Sequence, residues 1–123
     1  IEQKNETMET EHDHLFPKAT REGIQMQESL APAAMEAWRN FSRTVLKDGA
    51  LPAKTKQLIA LAVAHVTQCP YCIRAHTKDA MRKGATKEEM MEAIWVAAEM
   101  RAGAATAHAA IAIDEMVKQE QHR

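Results

Sequence analysis

Apolar residues recur at helical spacing in several separate stretches of the chain, and no stretch alternates apolar and polar residues as a strand does. The first twenty residues, IEQKNETMETEHDHLFPKAT, lack this rhythm. They are polar and mixed in charge, and they are expected to form a loose arm, with one helical domain over residues 21–123. Pro32 suits the first turn of a helix, where a missing amide hydrogen is no loss. Ala34, Met35, Trp38, Phe41 and Val45 follow at helical spacing. Lys47-Asp48-Gly49, a basic last turn running into glycine, stops this helix. Pro52 opens the next one. Its stretch QLIALAVAHV is apolar almost all round, which predicts a buried central helix rather than an amphipathic surface one.

Pro70 ends the central helix near Gln68, because proline has no amide hydrogen and disfavours helical geometry in the preceding Cys69. A new helix can begin at once, with Cys69 at the N-cap and Pro70 in the first helical position, and run to Gly84. Thr86 and Glu89 have the spacing of a capping box and open a helix to about Arg101. Gly103 is expected to separate it from a last helix, AATAHAAIAIDEMVKQ. The fold class is all-α, with five or six helices. The pairs Met35/Trp38 and Met91/Trp95, at helical spacing, read as core.

Composition narrows the function. The 123 residues suffice for one domain that buries roughly two-thirds of its unfolded surface. Sixteen basic residues stand against 17 acidic ones, so nothing suggests a nucleic-acid or acidic-lipid surface. Aromatics make up only 4% of the chain, so the core must come from Ala, Leu, Ile, Val and eight Met. No apolar run approaches the ~20 residues that span a bilayer, and the acidic start does not read as an export signal. A cytoplasmic protein is therefore expected, and a pair of cysteines in a reducing compartment is more often redox-active or metal-binding than a structural staple.

The two cysteines lie in QCPYCIRAH, residues 68–76. On a helix Cys69, Cys72, Ile73, His76 and Ala80 share one face, with His76 one turn beyond Cys72. The thiolate is the reactive form of cysteine, and a helix start favours an anion by ~0.3–1 kcal/mol. An adjacent imidazole can act as base toward the thiol or as a cation beside the thiolate. Three readings stay open on these residues alone: a redox pair with an acid–base partner, a metal site, or ordinary core. A structural zinc site wants four ligands, and this segment offers three. His65 on the preceding helix is a possible fourth, at a spacing that fits no usual finger or ribbon. His12, His14 and His122 lie near the chain ends, and His108 on the Ala-rich helix suits packing or an interface.

The run DGALPAKTKQLIALAVAHVTQCPYCIRAHTKDAMRKGATKEEMMEAIWVAA strongly resembles the core of the carboxymuconolactone decarboxylase/alkylhydroperoxidase D superfamily, over about residues 31 to 113. The resemblance implies an all-helical fold assembled as homo-trimers or homo-hexamers. It also implies a thiol-dependent peroxidase or disulfide reductase with no metal and no bound organic cofactor. By the pattern of the family's peroxidases, Cys72 is the cysteine oxidised by hydroperoxide, Cys69 resolves it into a disulfide, and His76 relays the proton. An external dithiol, in some members a lipoyl group on a partner protein, reduces the disulfide. Lactone decarboxylation and a non-enzymatic redox-sensing or metal-binding oligomer are the alternatives; decarboxylating members generally lack the cysteine pair.

Two positions depart from the peroxidase pattern. The family's glutamate on the central helix, twelve residues before the first cysteine, is Gln57 here, and Tyr71 stands where the best-known peroxidases have histidine. Tyrosine is common there in small members. The glutamine matters more. A carboxylate beside His76 would orient the imidazole and hold its proton, whereas an amide orients without charge.

Overall fold

The computed structural model describes residues 15–122. They form five helices: α1 (Arg21–Leu30), α2 (Pro32–Leu46), α3 (Ala53–Thr67), α4 (Pro70–Arg82) and α5 (Lys87–Gln121). No strand occurs among the described residues, in keeping with the all-α expectation. Most of the expected N-terminal arm, with His12 and His14, lies outside them. The chain packs as two compact units, one ending at Gly49 and one beginning at Ala50.

The first unit pairs α1 with α2. Thr20 caps α1 by accepting the Gly23 amide at 3.0 Å, and Pro32 opens α2 as its position predicts. An ion pair between Arg39 and Glu28, at 2.9 Å, joins the two helices. Neither helix buries a residue. Trp38 and Phe41 touch each other, ring centroids 5.9 Å apart, yet both stay exposed.

The second unit holds the core and every candidate site residue. Helix α3 packs against both α4 and α5. Its buried residues Ala53, Gln57, Leu61 and Ala64 recur every three or four positions and line one face. Leu61 is 1% exposed and anchors a small cluster with Ala80, Ala85 and Met90. The helix ends at Gln68, whose φ of 58° is left-handed. That turn of the backbone lets the amides of Gln68 and Cys69 both reach the Ala64 carbonyl, the latter at 3.2 Å. Arg101 of α5 donates to the Val66 carbonyl at 2.9 Å, satisfying another acceptor at the same end.

Gly84 closes α4 with φ 89°, a conformation that costs a side-chain-bearing residue about 1 kcal/mol or more. The capping box at Thr86 and Glu89 is present in both directions, at 3.1 and 2.9 Å. Glu89 also pairs with Lys54 at 2.9 Å, tying the start of α5 to the start of α3. These contacts hold its carboxyl below the ordinary value, the Lys54 bond first and the Thr86 amide second.

Three expectations need correction. Gly103 does not divide the last helices; α5 runs unbroken through it for 35 residues. Glycine costs about 1 kcal/mol relative to alanine inside a helix. The surrounding Ala102, Ala104, Ala105 and Ala107 are the best helix formers, and no proline intervenes. The Met–Trp pairs are not core within the chain: Trp38 is 61% exposed, Met91 53% and Trp95 68%. The central helix is buried on one side only, with Ile59, Val63 and Val66 exposed on the rest of its surface. Two neighbouring helices can cover only one face of α3, and its all-round apolar pattern exceeds what they hide.

Candidate redox site

Because α3 ends in a left-handed turn and α4 begins one residue later, Cys69 falls at the N-cap of α4 and Cys72 in its first turn. Cys69 is extended, with φ −98° and ψ 104°, and its sulfur accepts the Cys72 amide at 3.3 Å. A serine or aspartate oxygen commonly fills this capping role; here a thiolate can. Both cysteines are free and half-buried, and their sulfurs lie 2.7 Å apart.

The two thiols are electrostatically unequal. Cys69 is pushed below the ordinary thiol value, first by a hydrogen bond from the Cys72 thiol and then by the Cys72 amide. Cys72 is pushed up, first by that same bond, then by burial and by the charge on Cys69. One donor stabilises one anion, so the first deprotonation favours Cys69.

Gln57 and His76 meet across the α3–α4 contact. His76 Nδ1 lies 2.8 Å from Gln57 Oε1, and Gln57 is only 5% exposed. An amide oxygen only accepts, so Nδ1 carries the hydrogen and the lone pair of a neutral ring sits on Nε2. His76 lies one helical turn beyond Cys72. The four residues singled out from the sequence therefore form two pairs: Cys69 with Cys72, and Gln57 with His76.

His65 turns elsewhere, donating from Nδ1 to the Leu61 carbonyl of its own helix at 2.8 Å. Among the described residues, no three His, Cys, Asp or Glu side chains are grouped to hold a metal ion. His108 and His122 are exposed on and at the end of α5. Arg101 was not visible as a supporting residue from the sequence. It bonds to the turn before Cys69 from 35 positions away, and only the packing of α5 on α3 brings it there.

Paired thiols open one helix, an amide–imidazole pair joins that helix to the one before it, and helices are the only regular elements among the described residues. The chain belongs to the Carboxymuconolactone decarboxylase family, whose sequence model matches residues 32–115. It is 68% identical over 74 residues to "Uncharacterized protein 4 in cox locus" of Paracoccus denitrificans, spanning 60% of this chain and 67% of that one. An uncharacterized protein of Cupriavidus necator is 38% identical over 82 residues, covering 67% of this chain and 73% of its own. Among solved structures, an apo carboxymuconolactone decarboxylase family protein from Legionella pneumophila superposes with a TM-score of 0.61 at 36% identity. That match covers 63% of this chain and 69% of the other. A protein from Methanobacterium thermoautotrophicum gives 0.63 at 35% identity, over 67% of this chain and 94% of that one.

Proposed function

We propose that the protein is a thiol-dependent peroxidase or disulfide reductase working through a reversible Cys69–Cys72 disulfide. The observation that carries this reading is the pair of free thiols 2.7 Å apart across the first turn of α4. Neighbouring sulfurs at a helix start can join with little movement of the backbone, and the amide at the N-cap favours the thiolate that begins the chemistry.

With a hydroperoxide, one thiolate attacks the peroxide oxygen, becomes a sulfenic acid and releases the alcohol after protonation. The second thiol then displaces water from the sulfenic acid, leaving the disulfide. With a disulfide substrate, successive exchanges lead to the same oxidised pair and release two thiols. An external dithiol, such as a lipoyl group, returns the pair to its reduced form. A centre that must be reduced after each turnover suits a reducing compartment such as the cytoplasm.

The test is hydroperoxide consumption by the purified protein with dithiothreitol as reductant, comparing wild type with Cys72→Ser. Catalytic consumption that depends on Cys72 supports the peroxidase. Disulfide turnover without peroxide turnover supports the reductase. A protein inactive on both, or one isolated with stoichiometric zinc that protects both thiols, contradicts the proposal.

A further inference from the structure

We infer that Cys69 is the sulfur that attacks the external substrate, that this substrate is a disulfide, and that Cys72 resolves the mixed disulfide so formed. The inference rests on the redox reading of the pair and assigns the direction in which the pair works.

The geometry gives the two sulfurs different work. Cys69 precedes the first helical residue, and its sulfur is the one that accepts the Cys72 amide, at 3.3 Å. The negative charge therefore has a fixed donor at Cys69. Cys72 sits in the first turn of α4, on the face that continues to the completely buried Ala80, and its sulfur lies 2.7 Å from Cys69. It is placed to reach Cys69 from within. The electrostatic inequality runs the same way, with Cys69 lowered and Cys72 raised.

The Gln57–His76 pair suits a disulfide better than a hydroperoxide. Gln57 Oε1 accepts from His76 Nδ1 at 2.8 Å and, as an amide, brings no charge to the ring. That leaves Nε2 as a proton acceptor one turn beyond Cys72. A hydroperoxide asks for the opposite, because its leaving alkoxide must be given a proton as the O–O bond breaks. A disulfide expels a thiolate, a leaving group stable enough to depart without one.

The steps balance. The Cys69 thiolate attacks one sulfur of R–S–S–R′, forming the Cys69–S–S–R bond and expelling R′S⁻, which takes a proton from water. Cys72 passes its proton to His76 Nε2, attacks the Cys69 sulfur and expels RS⁻, which takes up that proton. Two protein thiols are oxidised to one disulfide, and R–S–S–R′ is reduced to RSH and R′SH.

Three proteins and one probe test this: wild type, Cys69→Ser and Cys72→Ser with 5,5′-dithiobis(2-nitrobenzoate) at pH 7. Serine is itself a good N-cap, so α4 retains its start in the Cys69→Ser protein. The Cys72→Ser protein is expected to react on the order of tenfold faster than Cys69→Ser and to keep one thionitrobenzoate adduct. Wild type is expected to release two equivalents and keep none. Peptide masses after substoichiometric iodoacetamide on wild type need no variant, and the label is expected on Cys69. Rates are also compared with those of free cysteine for the probe and for hydrogen peroxide, the larger enhancement being expected on the probe. Faster reaction at Cys72, by variant or by label, or a larger enhancement on peroxide, overturns the inference. A wild type that keeps two adducts and forms no internal disulfide instead overturns the redox reading itself.

Discussion

Gln57 of α3 meets the imidazole of His76 on α4. It is buried, its oxygen is committed to His76, and a glutamate would fit the same space with a charge. Gln57→Glu is expected to convert a neutral hydrogen bond into a charge-assisted one and to favour the imidazolium. An imidazolium one turn beyond Cys72 could protonate a departing alkoxide, and general acid catalysis of this kind contributes ~10²–10⁴-fold when well placed. Peroxide-dependent disulfide formation should therefore be slow in wild type and faster in Gln57→Glu, with the larger gain near pH 7. The measurement is the rate of disulfide formation against pH for both proteins. Equal profiles, or a slower variant, contradict this role. The Gln57–His76 contact was anticipated from the resemblance. The inequality of the thiols was only half-visible beforehand, since the helix start pointed to Cys69 and the nearby histidine to Cys72. Which sulfur accepts the amide is settled by backbone angles at the N-cap, and spacing alone does not reveal them.

Helix boundaries were legible where a residue's own chemistry determines them. Pro32, Pro70 and the Thr86–Glu89 box each act locally, and each begins its helix as expected. The continuity of α5 through Gly103 was not legible, because one glycine is a weak interruption among strong helix formers. An alanine Cβ at Gly103 would meet only Glu99 Oε1, one turn back, at an ordinary 3.5 Å. Gly103→Ala is accordingly expected to stabilise the protein by about 0.5–1 kcal/mol, read as a raised thermal midpoint. No gain, or a loss, would mean that the glycine serves a close contact. The Lys54–Glu89 tie between α3 and α5 makes a second test at this scale. Glu89 is depressed in the folded chain, so its stabilisation is present above the unfolded value of about 4.3 and is lost as pH falls through the lower folded value. The urea midpoint of wild type should exceed that of Glu89→Gln at pH 7, and the gap should narrow in acid. A gap that persists through acid contradicts the charge argument. Both partners are partly exposed, so the effect is expected to be small.

In each compact unit, large apolar residues remain exposed among the described residues. Trp38, Trp95 and Met100 are exposed, as are Ile111, Ile113 and Met116 in the second half of α5. The only residues α5 buries are Met90 and Ala97, both in its first half. Residues that read as core from their spacing, yet stand in solvent, mark surface that other copies of the chain can cover. A homo-hexamer is the expected assembly, and a monomer mass by light scattering at micromolar concentration contradicts it. The sequence pattern reported which residues are apolar; it carried no information on which of them the chain itself buries.

The central claim is that Cys69 and Cys72 form one reversible disulfide. The most direct measurement is the mass of the peptide containing both cysteines before oxidation, after one equivalent of hydrogen peroxide, and after dithiothreitol. The account predicts the loss of two hydrogens within that peptide and their full return on reduction. Bridges only between chains, or a peptide that keeps both thiols under both peroxide and an excess of a small disulfide, would contradict it.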